Sequence, residues 1–302
     1  MSMRVLLVFF VLTGLGLIIS FTSTSGGRML LDEDHQHHAP KVPEVLDLAG
    51  ENVPLEYFWV MESLDRELLV NTYWHSNTFQ HIKRSGRYFP LIETILKEEG
   101  IPDDFKYLAV AESGLLQAVS PSGARGIWQF MPATAKEYGL TVNDDVDERY
   151  HIALSTRAAC RYLKAAYDTL GSWTMAAAAY NAGVNGMFKA LKAQGTDNYY
   201  HLNLNTETAR YVFRILAIKL ILAQPDQFGY AVAEHEKYPP LKASVVKIDT
   251  AVTDIAILAG NLGVSYRALK ELNPWMRSTK LPAPRKGSYK VLVPEDGGRW
   301  YR

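Results

Sequence analysis

An apolar helical stripe is interrupted by a carboxylate at Glu112, within the run IPDDFKYLAVAESGLLQAVSPSGARGIWQFM that extends from Ile101 to Met131. The pattern predicts a helix from Pro102. Proline suits the first helical position, Asp103 and Asp104 complement the positive end of the dipole, and Gly114 ends the helix. Phe105, Leu108 and Ala109 recur at helical spacing, and the next member of that face is Glu112. A helix of this kind must pack its stripe against other apolar elements, and it carries the carboxylate inward with it. Desolvation against the stripe and a place in the last helical turn should both raise the pKa. A carboxyl that stays protonated can donate to a leaving oxygen and then act as base in the return step. The alternative is a structural glutamate, buried and paired with an arginine such as Arg125.

The 302 residues suffice for a medium domain and a small one, and 48% of them are hydrophobic, enough for a conventional core. Thirty-two acidic residues balance 32 basic ones, so no basic footprint points to nucleic acid, which is not expected as a partner. The first 25 residues carry one arginine and then an apolar run from Val5 to Phe21, read as an export signal or, alternatively, an uncleaved membrane anchor. Residues 26–54 are polar and proline-bearing and read as a linker. Its His35, His37 and His38 belong with a solvated tether, and neither a metal nor a cofactor is expected. The single cysteine, Cys160, lies in a helical run and reads as a buried small hydrophobe.

From Leu55 to Gly100 helical spacing dominates, and the aromatics Trp59, Tyr73, Trp74 and Tyr88 are read as core rather than as sugar-stacking platforms. A Ser-Pro-Ser-Gly loop separates Gly114 from Gly126. A short helix follows from Pro132, a longer one from about Asp147 to Leu170, and another through WTMAAAAYNAG, whose four alanines permit close helix contact. ETARYVFRILAIKLILAQ, opened by Thr206 and Glu207, ends at Pro225. Beyond a linker at 231–243 the texture changes to strand, two short helices and strand, a βααβ unit over 244–302. The expected fold is mainly α: a helical domain over 55–230, with its core at 100–225, and a small βααβ domain.

Four separated motifs then appear in one order: Glu112-Ser113, Gly126-Ile127-Trp128-Gln129, Ala179-Tyr180-Asn181-Ala182-Gly183, and Glu207-Thr208-Ala209-Arg210-Tyr211-Val212. In these the chain resembles the lytic murein transglycosylases over about Leu55 to Gln227. The resemblance implies a lysozyme-like helical fold shared with goose-type lysozyme. It also implies that Glu112 is the sole catalytic acid and base, with Ser113 helping to hold it. Gln129 and the backbone around Gly126 would contact sugar, Tyr180 and Asn181 would face the N-acetylmuramyl unit, and Tyr211 would lie beside Glu112. Peptidoglycan glycan strands would be the substrate. Cleavage of the MurNAc–GlcNAc β-1,4 bond would be non-hydrolytic, leaving 1,6-anhydro-MurNAc ends, in the periplasm or cell envelope. A lysozyme-type hydrolase with the same glutamate, or a scaffold that holds peptidoglycan without cutting it, are the alternatives.

The C-terminal unit resembles a LysM module, which implies binding of GlcNAc-containing glycan. The usual Gly-Asp-Thr after the first strand is Ile248-Asp249-Thr250 here, which leaves a spacer or docking role as the alternative, while Asn273-Pro274 fits the module.

Overall fold

The structure, a computed structural model, describes residues 38–299. The apolar N-terminal run and two of the three clustered histidines, His35 and His37, lie outside the described residues. Among the described residues no helix is long and apolar enough to cross a membrane.

Two long helices, α1 (Phe58–Tyr73) and α2 (His75–Glu99), lead into α3 (Phe105–Ser113), the helix that ends with Glu112 and Ser113. It begins three residues later than the sequence predicts, because residues 102–104 form a tighter turn in which Phe105 N and Lys106 N donate to the Pro102 and Asp103 carbonyls, while the Asp104 carboxylate accepts from Ala49 N and Lys219 Nζ, each at 2.7 Å. Phe105, Leu108 and Ala109 are buried as the stripe requires, facing α2 and α8. After α4 (Pro132–Glu137) come α5 (Ile152–Leu170), α6 (Trp173–Ala182), α7 (Val184–Gln194) and α8 (Thr206–Ala223). The four alanines Ala176–Ala179 are all buried, so α6 packs closely between α5 and α8. Helix α7 starts at once after Gly183, whose φ of +76° turns the chain, and the sequence reading passed over it. Cys160 is buried on α5, and burial pushes its thiol up to about 12, as suits an inert packing residue.

The segment expected to be linker as far as Pro54 differs in its last ten residues. Leu46, Leu48 and Val53 are buried, and a hairpin of β1 (Asp47–Leu48) and β2 (Glu51–Asn52) carries them. Glu51 caps α6, accepting from Trp173 N at 2.6 Å and Thr174 N at 2.8 Å. Strands of two residues are too short to show alternation, which is why the polar composition misled. Trp59 and Trp74 are also not core: they are 42% and 57% exposed, and the Trp59 indole N–H is held by the Tyr200 carbonyl at 2.9 Å.

In the C-terminal unit β3 (Ala243–Ile248) pairs antiparallel with β4 (Tyr289–Pro294), Ala243 opposite Pro294 and Ile248 opposite Tyr289. Between them lie α9 (Ile255–Asn261) and α10 (Tyr266–Leu272), capped by Asp254 and Ser265. This is the βααβ order that the sequence predicts. Asn273 is fully buried and staples α10 to β4, donating to the carbonyls of Leu269 and Leu292 and accepting from Leu292 N. None of Ile248, Asp249 and Thr250 has positive φ, so the turn after β3 forms without the missing glycine. Two apolar cores result. The larger belongs to the helical domain, and the second joins the C-terminal unit to Val146 and Tyr150.

Candidate active site

The end of α3 is fixed from three sides. Gly114 and Leu115 both take left-handed backbone, φ +61° and +60°, and turn the chain sharply away. Arg84 of α2 donates to the Gly114 carbonyl at 3.1 Å, and the buried His81 lies so close that a Cβ on Gly114 would come within 2.7 Å of its Nε2. Burial, and then the Arg84 charge, push His81 down to about 4, so its ring is neutral at pH 7. Ser113 Oγ donates to the Ile127 carbonyl at 2.8 Å, tying the helix end to the loop beyond.

That loop is held by its own backbone. Gly126 has φ +81°, and a Cβ there would fall 2.0 Å from the Arg149 carbonyl oxygen, so only glycine fits. Gly126 N donates to Ala118 O, while the Gln129 side-chain amide donates to Gly126 O at 2.7 Å and Ala118 O at 3.2 Å. Gln129 is itself left-handed, φ +48°, a conformation that costs about 1 kcal/mol for a residue with a side chain. Trp128 is wholly buried, with its indole N–H on Thr156 Oγ1 at 2.9 Å. Its carbonyl accepts from the Tyr180 hydroxyl at 2.8 Å.

Against this frame, the Tyr211 hydroxyl of α8 donates to Glu112 Oε1. Burial is the largest influence on Glu112 and raises its carboxyl to about 7. The Tyr211 bond and the Arg214 charge work the other way, and Glu207 adds to the rise. Burial also holds the Tyr211 and Tyr180 phenols well above their usual range, with the Glu112 charge next in effect, so both remain donors. The structural alternative for Glu112 is not what the geometry shows: Arg125 lies 3.8 Å from Asp147 instead. Asn181 is exposed and joins through its Oδ1, which accepts from Thr208 Oγ1 of α8 at 3.0 Å.

The structure thus brings Glu112, Ser113, Tyr180 and Tyr211 together around one helix end, with Asn181 at the rim. Ser113 acts on the loop rather than on the carboxylate directly. The polar groups of Gly126 and the Gln129 amide nitrogen are spent inside the loop, leaving Gln129 Oε1 as that residue's outward acceptor. Sequence reasoning missed Arg84 and His81, and also a charged group beside the site in which the buried Glu67 receives Arg210 Nε at 2.6 Å and has Arg214 at 3.9 Å. The spacing of Arg210 and Arg214, one helical turn apart, was the available signal for the last of these.

A lysozyme-like helical domain with one such carboxyl, followed by a LysM-like βααβ unit, is the class that the fold defines. Residues 90–203 match the Transglycosylase SLT domain family, and residues 244–297 match the Soluble lytic transglycosylase C-terminal LysM-like domain. The chain therefore carries a transglycosylase SLT domain and a LysM-like C-terminal domain. It is similar to the membrane-bound lytic murein transglycosylase D of Escherichia coli strain K12 and to its counterpart in E. coli O6:H1 strain CFT073. Each is 29% identical over 242 residues, covering 78% of this chain and 52% of the relative. The chain spans about half the length of these curated relatives. Glu112 through Asn181 fall within the matched SLT region, whereas Arg84, Glu67 and Tyr211 lie outside it.

Proposed function

We propose that the protein is a peptidoglycan lytic transglycosylase of the cell envelope that cleaves the MurNAc–GlcNAc β-1,4 bond without water. The observation that carries this reading is the Glu112 carboxyl, raised to about 7 beside the Tyr211 hydroxyl at the end of α3. Glycosidases that work with two carboxyl groups need the second one aimed across the bond. The acid that Glu112 feels, Glu207, is exposed and tied to Arg214 at 3.3 Å, so it is not offered to that task. A single acid suits substrate assistance.

In the first step the Glu112 carboxyl proton passes to the glycosidic oxygen, which leaves as the GlcNAc 4-hydroxyl. The N-acetyl carbonyl oxygen of MurNAc stabilises the positive charge at C1. In the second step the Glu112 carboxylate takes the proton of the MurNAc 6-hydroxyl, and O6 bonds to C1. Glu112 ends as it began, and the product carries a 1,6-anhydro ring. Tyr211 steadies the carboxylate between the steps. Tyr180 holds the Trp128 carbonyl, and Asn181, anchored through Oδ1, offers its amide N–H groups to the N-acetyl group without adding charge. Gln129 Oε1 offers a sugar hydroxyl an acceptor.

In this reading residues 55–230 form the catalytic domain, 231–243 join it to the C-terminal domain at 244–302, and that domain takes GlcNAc-containing glycan. The relatives are named as membrane-bound and murein-acting, which supports an envelope location, with the apolar N-terminal run as signal or anchor. Mass spectrometry of soluble products from purified peptidoglycan tests the reaction. Products ending in 1,6-anhydro-MurNAc, absent with Glu112→Gln, are expected. Reducing MurNAc ends would mean that water attacks, and full activity of the variant would remove Glu112 from its role.

A further inference from the structure

The segment from Val142 to His151, a bridged turn closed by a 3-10 helix at Glu148–Tyr150, stands between the catalytic loop and the C-terminal unit, and it bonds to both. On one side its backbone pairs with the unit: Val146 bridges to Met276, Asp147 N donates to Trp275 O at 2.9 Å, and Arg277 N donates to Asp145 O at 2.8 Å. Val146 and Tyr150 are buried in the unit's own core beside Trp275, Met276 and Leu269, and the Arg277 guanidinium lies 4.4 Å from the centre of the Tyr150 ring. On the other side Arg149, itself 3% exposed, holds the loop. Its Nη1 donates at 3.1 Å to both the Gly123 and Phe130 carbonyls, one at each end of the segment that contains Gly126 and Gln129. Its carbonyl is the surface against which Gly126 packs, and the Tyr150 carbonyl accepts from Gln117 Nε2 at 3.0 Å.

Asp147 connects the two sides. Its amide bonds to the C-terminal unit, and its buried carboxylate takes a two-point grip from Arg149, Nε to Oδ1 at 2.9 Å and Nη2 to Oδ2 at 2.7 Å. A planar guanidinium fixed at two points has a defined direction for its remaining nitrogen, so the placement of Asp147 dictates where Nη1 meets the loop. A lysine could not reproduce this, since it has no rigid fork. An ion pair this deep is weak evidence for stability but strong evidence for a fixed geometry once formed, because breaking either half strands a buried charge.

We propose that the C-terminal unit is a structural part of the active site, holding the Gly123–Phe130 loop in register through Asp147 and Arg149, which are positioning residues for the Glu112 reaction. This rests on the reading of Glu112 given above, but it assigns the unit a task distinct from binding glycan. The loop carries the Ile127 carbonyl that fastens Ser113 and the Trp128 carbonyl that fastens Tyr180, so a shift at its ends reaches the two residues flanking the catalytic carboxyl.

The test uses the full chain and two substitutions, Arg149→Lys at the loop and Trp275→Leu in the C-terminal unit, singly and together. Hydrogen exchange should quicken in residues 118–130 with either change, while α1 and α8 keep their protection. With soluble peptidoglycan fragments, kcat should fall about tenfold for Arg149→Lys and about threefold for Trp275→Leu, with KM little changed. The double variant should be no slower than Arg149→Lys alone, as for two residues on one path. Unchanged exchange in 118–130, a Trp275→Leu effect confined to KM, or multiplying losses in the double variant would overturn the proposal. If a variant fails to fold, Arg277→Ala, which removes the guanidinium over Tyr150 and its bond to the Pro274 carbonyl, takes its place in the exchange comparison under the same criteria. An active Glu112→Gln protein would refute the catalytic reading alone, since the exchange result does not depend on which group does the chemistry.

Discussion

Two glutamates lie inside the helical domain near α8, and they have opposite fates. Glu67 of α1 is buried against cations, with Arg210 at 2.6 Å and Arg214 at 3.9 Å, and one of its oxygens, Oε2, has no hydrogen-bond partner. Glu112 of α3 is half-buried against a neutral phenol and a backbone frame, and desolvation raises its carboxyl to about 7. Glu67 is the more deeply buried of the two, so burial alone does not make an acid catalyst. The partner decides. Glu67 is engaged by two arginines, whereas the phenol beside Glu112 stabilises the anion too weakly to offset desolvation, leaving a group that can give and retake a proton near neutral pH. Arg214 marks the border between the two, because its charge lowers Glu112 while its contacts go to Glu67 and Glu207.

The comparison is broken most severely at Glu112 itself. Glu112→Gln should lower kcat on peptidoglycan about 10³-fold, within the range for loss of a general acid and base. The same change should stabilise the fold at high pH. Because the folded pKa of about 7 lies above the usual 4.5, the intact group's favourable state is complete below pH 4.5 and is lost as pH rises through 7. Thermal melts at pH 8 should therefore favour Glu112→Gln by on the order of 3 kcal/mol, and melts at pH 4 should differ little. Cleavage by the intact protein should likewise decline as pH rises through about 7, where the acid form disappears.

Next in size is Glu67→Gln, which takes the carboxylate from Arg210 and leaves Arg214 with Glu207 alone. A loss of about 3 kcal/mol in denaturant unfolding is expected. The Arg214 charge, no longer offset by Glu67, should also act more strongly on Glu112 and move the alkaline limb of the rate profile to lower pH. Tyr211→Phe sharpens the contrast from the other side. Removing a bond that favours the anion should raise the Glu112 pKa, shift that limb to higher pH and lower kcat about tenfold, a loss equal to one charge-assisted hydrogen bond. The smallest effect is expected at the exposed Asn181. Asn181→Ala should leave stability within about 0.5 kcal/mol, while steady-state kinetics show a few-fold loss in kcat/KM.

Much of this arrangement is legible in the sequence because it follows from local periodicity. The stripe through Phe105, Leu108 and Ala109 locates Glu112, Gly114 ends the helix, and the alanine run foretells the tight packing of α6. What was not legible depends on distant partners. Arg125 is drawn to Asp147 rather than Glu112 by a loop whose path is set by Gly126 against Arg149, 23 residues away in sequence but in contact in space. Trp59 has helical spacing suited to a core, yet its indole is held at the surface by the Tyr200 carbonyl. The pairing of Val146 with Met276 is made by backbone atoms, which leave no side-chain pattern to read. Leu46, Leu48 and Val53 were hidden by the polar residues around them, although Glu51 among those polar residues caps α6.

Glu112 keeps a substantial acid fraction at neutral pH, and a titration followed by carbon NMR tests this most directly. The Glu112 side-chain carboxyl resonance, identified by its absence in Glu112→Gln, should titrate with a midpoint of about 7 in the folded protein. A midpoint at the ordinary carboxyl value of 4.5 would contradict the account, since the group would then be ionised when it is required to donate.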